Sequence, residues 1–232
     1  MNEDFVSVII PAAGRGTRMG KSINKQYITL DNKTILTHTI TAFDKCPYID
    51  EILIVVADNE EKLFKNKVLK EYKIKKPYKL VIGGKTRQAS VYNAVKKVDE
   101  RCTIISVHDG ARPLISNKEI INTVLGAKKF GGCVLGVPVK ETVKQADENG
   151  FVSGTVERSS LYNIRTPQVF KSEILKDAYK NAEEKGIVGT DDSFLVEQNN
   201  VKVKIIKGSY NNIKITTPED LIYAQEILSS RK

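Results

Sequence analysis

Short runs rich in valine and isoleucine alternate along the chain with longer stretches in which apolar residues recur at helical spacing. Such runs are typical of buried strands, and the periodic stretches are typical of amphipathic helices. The predicted strands span residues 6–10, 51–56, 79–82, 103–107 and 133–137. Strands that alternate with helices predict an α/β fold, Rossmann-like, in which a mainly parallel sheet is flanked by helices.

Two helix starts carry capping signatures. Ser116 precedes Glu119 by three residues, the spacing of a capping box, and predicts a helix that runs toward Phe130. Thr217 stands before Pro218, so a capping residue is followed by proline at the first helical position of a predicted C-terminal helix.

One segment breaks the alternation of strand and helix. Residues 141–165 hold short polar and apolar stretches around Asn149-Gly150, a dipeptide typical of two-residue hairpin turns. We interpret residues 139–165 as a β-arm that protrudes from the domain. Because an isolated two-stranded hairpin is marginally stable in water, docking of this arm is favoured over a free surface hairpin.

Composition indicates one domain without a membrane partner. The chain has 232 residues, 41% of them hydrophobic, which fits a single domain over residues 1–232. No apolar segment approaches the ~20 residues of a membrane span, and the acidic residues Glu3 and Asp4 do not fit a signal peptide. We therefore expect a cytoplasmic protein.

The cysteines indicate neither disulfides nor a zinc site. Cys46, Cys102 and Cys133 are widely spaced, odd in number and without a Cys-x-x-Cys pair. We expect them to be small buried residues of the core.

The net charge of +9 favours anionic ligands. Residues 62–79 carry many lysines around three aromatic residues, a pattern that occurs in nucleic-acid-binding proteins. Acidic residues interrupt the run and no nucleic-acid-binding module accompanies it, so a solvated helix face explains it more simply. We expect no nucleic-acid partner, and the same field would steer a nucleoside triphosphate and a sugar phosphate into a site.

The first predicted strand ends in a loop suited to phosphate. Its small residues let backbone N–H groups approach an anion closely, and Arg18 and Lys25 follow as candidate charge partners. The loop contains Pro11, Ala12, Ala13, Gly14 and Gly16. Taken alone, it is also compatible with an ordinary connection between a strand and a helix.

Two better-known phosphate motifs do not fit this loop. The dinucleotide fingerprint needs a third glycine or alanine where Met19 stands, and the spacing from Gly14 to Gly20 has five intervening residues where a P-loop has four.

Polar residues follow three of the predicted strands at their carboxyl ends. In a parallel sheet these ends share one edge, so residues 14–18, 83–87 and 109–112 are expected to converge on one site. Asp109 is the leading candidate for a divalent cation such as Mg²⁺, with a helix-capping role as the alternative. We interpret His108 as a positioned neighbour of Asp109 rather than a base or a metal ligand.

A series of motifs matches a known family in order. The loop at 11–19 is followed by Lys25-Gln26-Tyr27, and the later matches are residues 83–91, 107–113, 138–144, Arg158, 166–168, 190–192 and 212–216. With these motifs the chain resembles the sugar-phosphate nucleotidyltransferases and, within them, the 2-C-methyl-D-erythritol 4-phosphate cytidylyltransferase family. The resemblance covers nearly the whole chain.

This resemblance implies transfer of CMP from CTP to a sugar-alcohol phosphate with Mg²⁺ or another divalent cation, in a homodimer whose β-arm reaches the neighbouring active site. It implies three catalytic residues, Arg18, Lys25 and Lys214. The implied nucleotide-binding residues are Pro11, Ala12, Ala13, Gly14, Gly16, Arg18, Lys25, Gly84, Ser90, Asp109 and Gly110. The implied acceptor-binding residues are Asp109, Arg112, Thr142, Arg158, Thr166, Thr190 and Lys214.

Lys214 also stands out without the resemblance. It lies in the alternating apolar stretch 212–216, which predicts a strand, and a lysine in such a place needs an anionic neighbour. Asp191 and Asp192, by contrast, are expected only to start a helix behind Thr190.

The sequence departs from the family pattern at four positions. Asn24 replaces a proline, Gly110 an alanine, Glu141 an aspartate and Asp192 a glutamate. The first two are expected to loosen the loops around Lys25 and Asp109.

Two other functions remain open from the sequence. A ribitol-5-phosphate cytidylyltransferase would share the fold and the use of CTP, but its first loop more often has Gly-Gly, and it lacks the pattern of residues 158–161 before 166–168. The second alternative is a non-catalytic protein that binds a nucleotide or a nucleic acid.

Overall fold

The computed structural model describes residues 4–14 and 24–231. The strands are β1 Phe5–Pro11, β2 Thr29–Leu30, β3 Lys33–Thr34, β4 Glu51–Val56, β5 Tyr78–Ile82, β6 Cys102–Val107, β7 Gly132–Pro138, β8 Lys144–Ala146, β9 Val152–Thr155, β10 Tyr162–Lys171 and β11 Lys204–Lys207. The α-helices are α1 Ile35–Asp44, α2 Glu61–Phe64, α3 Arg87–Val95, α4 Asn117–Phe130, α5 Ser172–Lys185, α6 Asp192–Glu197 and α7 Pro218–Ser229. Single 3₁₀ turns form at Lys25–Tyr27 and Arg158–Ser160, and a π-helical turn, Lys65–Leu69, follows α2.

Within the described residues, seven strands form one sheet in the order β11-β7-β10-β6-β1-β4-β5. Only β10 runs antiparallel to its neighbours in this sheet, and the other pairings are parallel. The predicted α/β fold with a mainly parallel sheet is therefore confirmed. The five predicted strands agree with β1, β4, β5, β6 and β7 to within one residue at each end.

The core lies on both faces of the sheet. Val8 and Ile10 of β1 pack in one apolar cluster, and Ile9 packs in a second cluster on the opposite face. A strand buried on both faces has no polar side to alternate with, which is why β1 is apolar except at Ser7, whose buried hydroxyl donates to Glu51 Oε2.

Both predicted helix caps form. Ser116 Oγ accepts a hydrogen bond from Glu119 N, and Glu119 Oε2 accepts one from Ser116 N, so α4 begins with a reciprocal capping box. Helix α7 begins with Thr217 as its N-cap and Pro218 in its first turn.

The β-arm is shorter than predicted. Strands β8 and β9 pair only with each other in the described structure, but residues 162–165 belong to β10 and pair with β7 from Tyr162–Pro138 to Arg165–Leu135. The first three residues of β10 are exposed and of mixed polarity, so this part of the strand lacks an apolar run that could identify it.

The turn of the arm also differs from the prediction. Asp147 N donates to Phe151 O, so three residues, 148–150, close the hairpin instead of two. Asp147 Oδ1 accepts the N–H groups of Asn149 and Phe151, and Gly150 has a φ of +84°. Glycine takes this left-handed conformation without strain, so the Asn-Gly signal located the hairpin although the turn type differs.

The predicted strand at 212–216 is wrong. These residues run without strand pairing beside residues 108–116, the loop after β6 that we call the Asp109 loop, where Ile215 N donates to Ala111 O over 2.9 Å. Ile215 is fully buried in a small apolar cluster with residues of α7, so burial against a helix and a loop explains the apolar alternation here.

Cys46, Cys102 and Cys133 are free thiols buried in the core, as expected, and burial raises the pKa of Cys133 to about 12.

Across residues 4–14 and 24–231, the helices are too short or too polar to cross a lipid bilayer.

Candidate active site

A cavity of about 680 Å³ opens where β1, β4, β5 and β6 end. Each of these strands is followed by cavity-lining residues, as expected for the carboxyl edge of a parallel sheet. The lining residues are Pro11, Ala13, Gly14, Lys25, Gln26, Ala57, Asp58, Gly83, Gly84, Lys85, Thr86, Arg87, Ser90, Asp109, Gly110, Ala111 and Lys214. The structure thus brings together most of the residues to which the resemblance assigns nucleotide binding.

The first loop is held between two neighbouring strands. Ala12 N donates to Val55 O over 2.7 Å, and Pro11 O accepts a hydrogen bond from Gly110 N over 3.2 Å. These contacts use the two opposite sides of one peptide unit, so they fix the loop between β4 and the Asp109 loop. Gly16 and Arg18 lie outside the described residues.

Lys25 lies in the 3₁₀ turn Lys25–Tyr27 and lines the cavity, although it is only 8% exposed. The turn is tied to the first loop because Asn24 Nδ2 donates to Ala12 O over 3.1 Å. Asn24 was expected to loosen this loop where the family has proline. Its side chain makes a hydrogen bond that proline could not make, and this bond opposes such loosening. Lys25 is presented next to the backbone of residues 11–14.

The loop after β5 approaches α3 very closely. Gly84 N donates to Ser90 Oγ over 3.0 Å, and Ser90 is buried. A Cβ atom on Gly84 would lie 2.6 Å from Ala89 Cβ and 3.1 Å from the Ala89 carbonyl carbon. Only glycine permits this approach, which leaves backbone rather than side chain at the cavity wall.

We expect Gly84→Ala to destabilise the protein by about 1–3 kcal/mol, because the added carbon overpacks the contact with Ala89. Denaturant unfolding measures the change. Gly14→Ala is the matched control, since among residues 4–14 and 24–231 a Cβ there would have no neighbour closer than Gln26 Nε2 at 4.0 Å. Equal unfolding free energies for the two variants would contradict the expected crowding.

Asp109 lies at the centre of a cluster of positive charge. Its Oδ2 atom is 2.8 Å from Lys214 Nζ and 3.6 Å from Arg112 Nε, and its Oδ1 atom is 3.4 Å from Arg87 Nε. Burial alone would raise the pKa of the Asp109 carboxyl, but the charges of Arg87, Lys214 and Arg112 outweigh burial and hold this pKa well below its usual range. Three cations around one carboxylate leave a net positive field at the cavity floor.

Lys214 has the anionic neighbour that the sequence requires, although the strand predicted around it does not form. Its side chain is 37% exposed and reaches Asp109 from the extended segment beside α7. The lysine is therefore at once paired and accessible to a ligand in the cavity.

His108 is fully buried below Asp109. Its Nε2 atom is 3.1 Å from Arg112 O, and its Nδ1 atom is 3.1 Å from Thr166 Oγ1. Because a carbonyl oxygen only accepts, Nε2 carries the proton and Nδ1 accepts from the Thr166 hydroxyl, which itself accepts from Asp109 N. Burial lowers the pKa of His108 to about 4, so the ring is neutral and positions the Asp109 loop.

This burial makes the stability of the protein depend on pH. Between the folded pKa of about 4 and the ordinary value of 6.5, the unfolded chain binds more protons at His108, so the free energy of unfolding rises with pH in this interval. We expect His108→Gln to flatten that rise by up to about 3 kcal/mol. Urea unfolding at several pH values between about 4 and 7 measures the slope, and an unchanged slope would contradict the neutral buried ring.

The predicted acceptor residues are more scattered. Arg112 is buried behind Asp109 and donates from Nη1 to Asn212 O, and the Thr166 hydroxyl is occupied by Asp109 N and His108. Thr190 is exposed at the start of α6, and Thr142 and Arg158 are exposed on the β-arm. These five residues do not line the cavity formed by the described part of the chain.

An ion pair at the cavity edge was not predicted. Asp192 is fully buried, and its two carboxylate oxygens accept hydrogen bonds from Arg87 Nη1 and Nη2 over 3.1 and 2.7 Å. Asp191 is the helix cap, as expected, and accepts from Phe194 N. The expectation that Asp192 also only starts the helix is wrong, because its carboxylate points into the core toward Arg87.

The carboxylate of Asp109 fits a divalent-cation site in which the protein supplies a single carboxylate ligand. The described residues contain no group of three or more His, Cys, Asp or Glu side chains that could hold a metal ion. Mg²⁺ commonly binds through one or two carboxylates and completes its shell with phosphate oxygens and water. Asp109 stays ionised and lines the cavity, so it meets the requirement for such a ligand.

Comparisons with known proteins agree along nearly the whole chain. The chain is 49% identical over 227 residues to 2-C-methyl-D-erythritol 4-phosphate cytidylyltransferase of Alkaliphilus metalliredigens, covering 98% of this chain and 94% of that protein. It is 46% identical over 223 residues to the protein of the same name from Caldanaerobacter subterraneus, covering 96% and 98%.

Solved structures show the same fold. The 4-diphosphocytidyl-2C-methyl-D-erythritol synthase of Anaerococcus prevotii superimposes with a TM-score of 0.87 at 31% identity, covering 98% of this chain and 97% of that one. The 2-C-methyl-D-erythritol 4-phosphate cytidylyltransferase of Francisella tularensis gives a TM-score of 0.81 at 35% identity, with 96% and 99% covered. The family described as IspD, 2-C-methyl-D-erythritol 4-phosphate cytidylyltransferase, matches residues 6–230. A match of this extent, on a fold and a cavity that agree with it, shows that the chain belongs to this family.

Proposed function

We propose that this protein transfers CMP from CTP to 2-C-methyl-D-erythritol 4-phosphate. The products are 4-diphosphocytidyl-2-C-methyl-D-erythritol and pyrophosphate, in the non-mevalonate route to isoprenoid precursors. The observation that carries the proposal is the family match over residues 6–230, together with the cationic cavity that is lined by the motif residues 11, 13–14, 25–26, 83–87, 90, 109–111 and 214.

The reaction needs positive charge more than it needs a base. A phosphate oxygen of the acceptor attacks the α-phosphorus of CTP, forming a new P–O bond as the bond to pyrophosphate breaks. The attacking oxygen is already an anion, so cations must bring two like charges together and stabilise the crowded phosphorus. His108 is fully buried, has both ring nitrogens in hydrogen bonds and does not line the cavity, which agrees with a mechanism without a general base.

On this proposal, Arg18, Lys25 and Lys214 carry the catalytic charge. Lys25 and Lys214 both line the cavity, which supports contact with the triphosphate and with the α-phosphate. Small residues of the strand-end loops would bind the nucleotide through backbone groups. These are Pro11, Ala12, Ala13, Gly14, Gly16, Gly84 and Gly110, with Ser90 beside them.

A divalent cation, when bound, would neutralise charge on the triphosphate and polarise the reacting phosphate. Asp109 would hold it through its carboxylate. Because Lys214 contacts the same carboxylate over 2.8 Å, Asp109 also fixes where this lysine lies. The residue would thus orient a cation and a catalytic side chain together.

We also propose that the protein acts as a homodimer in which the β-arm supplies Thr142 and Arg158 to the partner's cavity. Both residues are exposed, and Phe151 and Val152 near the tip of the arm are 72% and 65% exposed. A small hairpin that presents two large apolar side chains to water favours docking. Arg158 would then clamp the acceptor phosphate, with Arg112, Thr166 and Thr190 around it.

We propose a cytoplasmic location for the enzyme. Free, unpaired cysteines in the core support a reducing compartment.

The acceptor is tested by turnover with CTP, Mg²⁺ and either of two acceptors. We expect 2-C-methyl-D-erythritol 4-phosphate to be used far faster than ribitol 5-phosphate. Equal or faster use of ribitol 5-phosphate would overturn the acceptor assignment. No turnover of either acceptor, with CTP still bound, would favour a non-catalytic nucleotide-binding protein.

A further inference from the structure

We infer that Arg87 is a positioning residue that sets the carboxylate of Asp109 and joins the nucleotide side of the cavity to the acceptor side. The inference rests on the proposed function, since it names how that site is held together. Arg87 is the first residue of α3 and lines the cavity.

The guanidinium of Arg87 bridges two carboxylates. Nη1 and Nη2 form a two-point contact with Asp192, and Nε lies 3.4 Å from Asp109 Oδ1. The planar fork of arginine fits such a two-point contact, which a lysine ammonium cannot reproduce. One oxygen of Asp109 is therefore held by Arg87 while the other faces Lys214.

Asp192 is a rigid anchor for this bridge. It is fully buried, and its Oδ1 atom accepts a further hydrogen bond from Tyr179 OH over 2.5 Å. The Tyr179 ring stacks on Tyr92 of α3 with 5.3 Å between ring centroids. Helices α3, α5 and α6 thus meet at one buried carboxylate, so the arginine cannot move without disturbing packed side chains.

The bridge lies between the two proposed binding regions. Gly84 and Ser90, on the nucleotide side, flank Arg87 in the chain, and Thr190, on the acceptor side, precedes Asp192 by two residues. Without Arg87, Oδ1 of Asp109 would lose its partner and the carboxylate could rotate away from Lys214. We therefore expect a loss in the chemical step rather than in CTP binding.

The test is Arg87→Lys, which keeps the charge and loses the fork. We expect kcat to fall about tenfold to thirtyfold while the Kd for CTP, measured by calorimetry, changes less than about threefold. Arg101→Lys is the matched control, because Arg101 makes a similar two-point contact with Asp99 away from the cavity. The control is expected to keep wild-type kcat.

A double-mutant cycle separates positioning from general structural damage. If Arg87 acts through Asp109, Arg87→Lys should cause little further loss of kcat in the Asp109→Asn background, whereas independent effects multiply. Multiplicative losses, or a folded Arg87→Lys enzyme with wild-type kcat, would overturn the inference.

A second variant decides the question if Arg87→Lys does not fold. Asp192→Asn keeps the shape of the anchor and removes its charge, and we expect a smaller fall in kcat with CTP binding retained. A folded Asp192→Asn enzyme with wild-type kcat would overturn the inference. An inactive wild-type protein would instead refute the proposed function, so the two failures are distinguishable.

Discussion

Lys214→Ala is expected to lower kcat about a hundredfold or more while the protein stays folded, because one preorganised charge aimed at a developing anion is worth this much in known enzymes. Lys214 lines the cavity, and its ammonium group lies 2.8 Å from Asp109 rather than deep in the core. We expect Arg18→Ala and Lys25→Ala to act in the same way. Steady-state kinetics with both substrates, beside circular dichroism, measures the effect.

Lys180→Ala is the matched control for these lysine variants. Lys180 is 70% exposed on α5 and pairs only weakly with Glu184 at 3.9 Å, so its removal should leave kcat unchanged. A change in KM alone for Lys214→Ala would contradict a role in the transition state. The lysine would then contribute equally to binding of substrate and transition state.

Mixing Arg158→Ala with Lys25→Ala is expected to restore activity that neither variant has alone. If each cavity takes Arg158 from the partner, one site of every hybrid dimer has both an intact Lys25 and an intact Arg158. Random exchange makes about half of the dimers hybrid, and each has one whole site, so roughly a quarter of wild-type activity should return. Subunit exchange is verified by mass spectrometry before the assay.

The control for this mixture pairs Lys25→Ala with Lys214→Ala. These two lysines line the same cavity of one chain, so every site of a hybrid dimer still lacks one of them and no activity should return. Recovery in the control, or no recovery with Arg158→Ala after exchange, would contradict the shared site. An active monomer would likewise place the function of Arg158 within its own chain.

The fold was largely predictable because a strand that is buried on both faces has a recognisable run of apolar residues. Strand β4 is apolar along almost its whole length and fully buried, and its predicted ends are those observed. The start of strand β10 was not predicted because its first residues are exposed and of mixed polarity. The apolar alternation at 212–216 was misleading, since packing against α7 produces the same spacing as a strand.

The site was predictable where it depends on strand ends and less so where it depends on distant contacts. Asp109 could be placed from the apolar run before it, and Lys214 could be assigned an anionic neighbour. The Arg87–Asp192 pair joins residues that lie 105 positions apart. Neither residue has a local pattern that indicates the other, so this ion pair required the folded chain.

The central claim is that this cavity transfers CMP, and label transfer from CTP tests it most directly. The enzyme is incubated with Mg²⁺, 2-C-methyl-D-erythritol 4-phosphate and CTP labelled at the α-phosphorus. We expect the label in a product that also contains the acceptor phosphate, with one pyrophosphate released for each product molecule. Bound CTP without labelled product, or label released only as free CMP, would contradict the claim.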